Sequence, residues 1–181
     1  MGVVHTVGHS TRGVDELISL LKEAEIDLLL DVRSFPRSRR NPQFNIETLP
    51  SDLKLAGIDY QHVKSMGGRR SKQPDAGSSP NTAWRVEAFK NYADYALTPP
   101  FRESFSALAS QSEVRACAVM CAEAAWWQCH RRIITDYLIA SGVEVRHIMD
   151  GGRIEAAELG EDAVIQPNRT VHYPAAQAVL F

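Results

Sequence analysis

The chain has few cysteines, no long apolar run and no excess of one charge, and each shortage removes a class of protein. Three cysteines in 181 residues, all between Cys117 and Cys129, are odd in number and close together. They make no disulfide framework, and reduced thiols fit better. No apolar stretch approaches the length that crosses a bilayer, and the first residues carry no signal-peptide h-region. A cytoplasmic protein with no membrane partner is the expectation. Lysine and arginine number 20 against 22 aspartate and glutamate, a net charge of −2, so no global basic field exists and any pull on polyanions must be local. No internal repeat and no second domain are visible, and the length suffices for one domain with a real core.

What is present alternates between strand and helix patterns. Val3–Val7 is an apolar strand ending in Gly8-His9-Ser10. Val14, Leu17, Ile18, Leu21 and Ala24 then follow the helical period. Leu28–Leu30 with Val32 is a continuous apolar run, as in a strand buried on both faces. A helix is predicted over Leu49–Ala56 and a strand over Ile58–Val63. Two more helices are predicted over Val86–Ala96 and Phe101–Ser110, separated by Pro99-Pro100. Val114–Met120 reads as a strand, followed by a helix carrying Trp126 to Tyr137, a stop at Ser141-Gly142 and a strand over Val143–Ile148. The expected fold is a single α/β domain over residues 1–163, with a mostly parallel sheet and flanking helices, then an irregular tail over 164–181. Ligands of such sheets bind outside the carboxyl ends of the strands. Here those ends carry His9, Arg33, Cys121 and Glu123.

Arginine is the clearest compositional anomaly at that edge. Arg33, Arg37, Arg39 and Arg40, then Arg69 and Arg70, then Arg131 and Arg132 fall in three segments. A guanidinium fork suits phosphate or carboxylate, and Gly67-Gly68 lets backbone approach an anion. Arg33, Arg37, Arg39, Arg40, Arg69, Arg70 and Arg131 are the candidate anion-binding residues, for a phosphorylated ligand or a nucleic-acid backbone. The competing account is three solvated loops.

Cys121 at a helix start, beside arginines, is a candidate nucleophile, with His9 or His130 as base and Glu123 as a proton-transfer group. The phosphatase spacing of cysteine and arginine is absent, because position 127 is Trp127. Cys129, on one helical face with Trp126, Ile133 and Tyr137, reads as core. Cys121, Cys129, His130 and a remote His9 match no standard zinc spacing, and neighbours such as Cys129 and His130 diverge on a helix, so no metal is expected. The end of the chain, Gln177-Ala178-Val179-Leu180-Phe181, is similar to the peptide that binds the bacterial sliding clamp. Gln177, Leu180 and Phe181 are the candidate partner-binding residues, against the alternative that the tail docks on its own domain.

Taken together, Thr6-Val7-Gly8-His9-Ser10, Asp31-Val32-Arg33-Ser34-Phe35-Pro36, Ser38 to Phe44, Gly67-Gly68-Arg69-Arg70, Cys121-Ala122-Glu123 and Cys129-His130-Arg131-Arg132 resemble the bacterial and archaeal family known as domain of unknown function 488. The likeness runs from His5 to about His147. It implies a compact α/β domain and brings no established activity. The residues themselves favour a nucleic-acid- or nucleotide-acting enzyme, hydrolytic and of the DNA-repair kind, with a basic crevice. The alternatives are a small-molecule thiol enzyme working through Cys121 on an anionic metabolite, or a non-catalytic nucleotide-binding module.

Overall fold

A computed structural model describes residues 2–74 and 76–176. In chain order, Val3–Gly8 (β1) leads through Val14–Glu23 (α1) to Leu28–Asp31 (β2), and Leu49–Leu55 (α2) leads to Asp59–His62 (β3). Glu87–Tyr95 (α3) and Pro99–Val114 (α4) precede Cys117–Cys121 (β4). Arg131–Ala140 (α5) connects β4 to Glu144–Ile148 (β5), and Ile154–Ala156 (β6), Val164–Ile165 (β7) and Val171–His172 (β8) follow. The main sheet has the order β3-β2-β4-β1-β5-β6. Its first five strands are parallel, and β6 joins antiparallel at the edge. The fold is the single α/β domain expected. Among the described residues, no helix is long and apolar enough to cross a membrane.

Period-2 alternation within each strand divides the core into two layers. Leu29 of β2 with Ala118 and Met120 of β4 meets Leu17, Leu20 and Leu21 of α1 and Leu49 and Leu53 of α2. Leu28 and Leu30 with Cys117, Val119 and Cys121 face the other way, onto Tyr92, Phe101, Leu108, Ile133 and Leu138 of α3, α4 and α5. Cys121 therefore closes β4 on the same face as α5. β2 is buried along its whole length because it has strands on both edges and helices on both faces. β3 alternates exposed and half-buried because it is an edge strand.

Several boundaries differ from the sequence reading. Pro99 and Pro100 open α4 rather than separating two helices, since a helix's first turn leaves its N–H groups unbonded and loses nothing to proline. Val114 is the last residue of that helix, and β4 begins at Cys117. The helix expected from Trp126 starts five residues later. Trp126–Gln128 is a single 3-10 turn, and Cys129 is extended (φ −128°, ψ 151°). Within 164–176, β7 and β8 form a short antiparallel ladder, and Tyr173 reaches the core with its hydroxyl donating to Asp136 at 2.8 Å. Gln177, Leu180 and Phe181 lie outside the described residues.

The end of β1 is locked against the loop after β4. His9 N donates to Cys121 O and Ser10 N to Ala122 O, both at 2.9 Å. A Cβ on Gly8 would stand 1.8 Å from the Glu123 carbonyl oxygen and 2.6 Å from its carbon, so only glycine permits this approach. Gly8→Ala is expected to lower the unfolding free energy by about 3 kcal/mol, since a backbone clash in a packed sheet cannot relax locally. Gly13→Ala, where a Cβ meets nothing within 4 Å, is the control and should change it by less than about 0.5 kcal/mol in equilibrium urea unfolding.

Candidate active site

The carboxyl ends of β2 and β4 lie side by side in the sheet, and the chain leaving each builds one wall of a cleft. After β2 come Val32, Arg33, Ser34 and Phe35. After β4 come Ala122 and Glu123, and the turn before α5 brings back Cys129 and His130. The start of α3 closes the far side with Val86 and Phe89. The cleft measures about 710 Å³, within the usual range for a site that holds a small molecule. Its buried residues are Arg33, Cys121, Cys129 and His130, and its exposed ones include Phe35, Arg37, Arg69 and Glu123.

Cys121, Cys129 and His130 converge within it. His130 Nδ1 stands 3.6 Å from Cys129 Sγ and 3.9 Å from Cys121 Sγ. The other ring nitrogen, Nε2, lies 3.1 Å from the Val32 carbonyl oxygen. A carbonyl can only accept, so Nε2 carries the proton and Nδ1 presents its lone pair to the two sulfurs. Tyr92 packs edge-on against the imidazole, centroids 4.9 Å apart. Gly68 lies on its face so closely that a Cβ would come within 2.4 Å of Nδ1. The ring is thus held from three sides.

The two thiols are not equivalent. The neighbouring Cys129 sulfur, together with burial, raises Cys121 well above the ordinary thiol value. The same pairing with Cys121 holds Cys129 well below it against burial, helped by His130 and Arg131. Arg131 supplies two donors to this sulfur, its backbone N and its Nε, each at 3.5 Å. Cys129, read from the sequence as core packing, is buried in the core and is also the lower-titrating thiol of the pair.

The predicted residues divide sharply. Cys121, Glu123, His130, Arg33, Arg37 and Arg69 line the cleft. His9 does not line it. Its ring stacks on Phe44 at 4.3 Å, its Nδ1 donates to Ser10 O at 2.8 Å, and its Nε2 accepts from Arg33 at 3.2 Å. Burial, with the Arg33 charge, lowers it to about 4, and both ring nitrogens are already engaged. Several arginines are already engaged. Arg33 is held by Asp31 (2.6 Å) and the Phe44 carbonyl (2.7 Å). Arg37 pairs with Glu47. Arg70 turns inward onto the Ser65 and Gly67 carbonyls and over the Tyr95 ring. Arg131 is buried on the Glu123 and Ala124 carbonyls. Arg39 and Arg40 are exposed outside the cleft lining. Among the described residues only Arg39, Arg40 and Arg69 of the seven lack both a carboxylate and a carbonyl partner.

Sequence reasoning missed the parts that hold the site: the Val32 carbonyl, Tyr92, and the Val86 and Phe89 wall. Backbone carbonyls carry no sequence signal, and the α3 residues are distant along the chain. Gly68 was visible, though for anion approach rather than for the imidazole that it admits.

The molecule is thus an α/β domain with a five-stranded parallel core and a cleft outside its carboxyl edge, the place where ligands of such sheets bind, with thiol, imidazole, carboxylate and guanidinium groups gathered in the crevice. The chain belongs to the family described as "Domain of unknown function DUF488", whose model matches residues 13–138. No curated protein and no solved structure matches it.

Proposed function

We propose that the protein is an enzyme acting on a small anionic molecule of nucleotide size, bound in this cleft with its anionic group toward Arg69 and its reacting centre toward Cys121, Cys129 and His130. One observation carries this reading: the reactive side chains are buried while the available guanidinium and the Glu123 carboxylate stand at the mouth of a concave, partly apolar cleft. A charged group held at the rim by Arg69 is attracted without paying the desolvation of a buried ion. Phe35 and Phe89 offer flat apolar surface for a ring. A cytoplasmic location accords with the reduced thiols.

The test is a thermal-shift series on reduced protein with nucleoside monophosphates, sugar phosphates and pyrophosphate, followed by turnover assays on whichever bind. At a hundredfold excess over Kd, stabilisation is about 2.7 kcal/mol, or roughly 5–10 °C. Arg69→Ala should remove most of it while leaving the unliganded melting temperature within a degree or two. If none of these anions shifts the protein, the cleft is not an anion site.

A second reading, action on a nucleic acid, draws on the exposed Arg39 and Arg40 beside the same edge and on the clamp-like residues Gln177, Leu180 and Phe181. It requires DNA binding that weakens steeply with salt and is lost on changing Arg39 and Arg69 to Ala. Binding of mononucleotides with no affinity for short single- or double-stranded DNA rejects it.

A further inference from the structure

Cysteine and histidine side chains that meet in a protein interior either share protons or share a metal ion, and the geometry distinguishes the two. Tetrahedral zinc, with bonds of about 2.3 Å to sulfur and about 2.0 Å to nitrogen, sets its ligand atoms about 3.6 Å apart for sulfur and nitrogen. His130 Nδ1 lies 3.6 and 3.9 Å from the two sulfurs, and all three ligand atoms lie within 4.8 Å of one another.

We infer that Cys121, Cys129 and His130 form a three-ligand site for a thiophilic divalent ion of the zinc class, with its fourth position open to the cleft. Four features besides the distances support it. A metal-binding imidazole needs its second nitrogen anchored as a donor, and His130 Nε2 is anchored on the Val32 carbonyl. A metal-bound thiolate is stabilised by N–H groups, and Cys129 Sγ receives two from Arg131. A single imidazole lone pair serves one thiol hydrogen bond well, yet two sulfurs face it. Finally, Gly68 leaves the imidazole room that any side chain would take.

The spacing argument against a metal fails for a structural reason. Cys129 and His130 would diverge on a helix, but α5 starts only at Arg131. Cys129 is extended and His130 occupies the cap position before the helix, at φ −59° and ψ −13°. That change of backbone between consecutive residues lets both side chains reach the end of β4, where Cys121 waits. Three protein ligands and one open position are the pattern of catalytic rather than structural zinc sites. The open side faces the cleft that also holds the exposed Glu123 carboxylate. This inference rests on the same cleft as the proposed function, but its test needs no substrate.

The full chain, purified under reducing conditions without chelator, is expected to carry about one zinc ion, and stripped protein should take up Zn²⁺ or Co²⁺ in the same ratio. The Co²⁺ form should show intense thiolate-to-cobalt charge-transfer absorption. Cys117→Ala, which leaves the cluster intact, should keep both properties. Cys121→Ser and Cys129→Ser should weaken binding by about 100-fold or more. Should those variants fail to fold, the wild-type cobalt spectrum decides alone. Reduced wild-type protein that takes up less than about a tenth of an equivalent of either ion, with alkylation of Cys121 and Cys129 unaffected by Zn²⁺, overturns the inference. Anion-induced stabilisation in such metal-free protein leaves the proposed function standing. Metal uptake with no response to any anion does the reverse.

Discussion

Asp31→Ala is expected to lower the unfolding free energy by about 3–5 kcal/mol, the loss seen when one partner of a buried ion pair is removed. Asp31 is fully buried and Arg33 is 5% exposed. The carboxylate accepts Arg33 Nε at 2.9 Å, Arg33 Nη2 at 2.6 Å and the Arg33 backbone N at 3.1 Å. The Tyr60 hydroxyl adds a fourth bond at 2.6 Å. Burial opposes the Arg33 charge and Asp31 sustains it, so removing the carboxylate strands a guanidinium in the interior. The double variant Asp31→Ala, Arg33→Met should be more stable than Asp31→Ala alone, because it takes away the stranded charge as well. Equilibrium denaturation of the wild type, both single variants and the double variant gives the coupling directly. A loss below about 1 kcal/mol for Asp31→Ala would show that water or another group compensates the arginine. The site should suffer too, since Val32, whose carbonyl anchors His130, lies between the two partners.

The second large effect is loss of stability in acid. Burial, with Arg33, lowers His9 to about 4, and burial, with Arg131, does the same to His147. The unfolded chain protonates both near 6.5, so their contribution is complete above that value and disappears as pH falls toward 4. Each contributes on the order of 3 kcal/mol by linkage, and both are only 2% exposed, so solvent screens little of it. His5 is shifted in the same direction by burial and Arg146. Asp136, raised by burial, acts in the opposite sense and offsets part of the fall. Chelator-treated protein should therefore show a flat melting temperature above about pH 7 and a steep decline from pH 6.5 to 4. His147→Phe keeps a ring against Trp126, which stacks on His147 at 4.4 Å, and should remove about half of that decline. Equal stability at pH 5 and pH 7.5 would mean that these histidines titrate normally.

The parallel sheet was legible because buried strands such as Leu28–Leu30 and Val119–Met120 are continuously apolar, and because helical periodicity fills the gaps between them. The place of the site followed from that topology. Its internal chemistry did not. The stretch from Trp126 to Gln128 carries the spacing of a helix, yet it folds as a single 3-10 turn with Trp126 stacked on His147. That small shift brings the Cys129 sulfur, still within the core, beside His130 and Cys121. The arginine cluster was equally visible, yet no pattern shows which guanidinium groups are spent on Asp31, Glu47 or backbone carbonyls. Pro99-Pro100 misled in the usual way, because proline marks both the gap before a helix and its first turn.

The strand order has a kinetic consequence. β1 and β2 are joined by α1 within the first 31 residues, yet they are not neighbours. The slot between them is filled by β4, more than 80 residues later in the chain. A chain emerging from the ribosome therefore holds an incomplete sheet until residue 121 is available, with the inner edges of β1 and β2 unpaired. The strand that fills this gap also leads into the loop that walls the cleft, so the cleft cannot form before β1 and β2 are bridged. Chains that end before β4 therefore lack both the bridged sheet and the cleft.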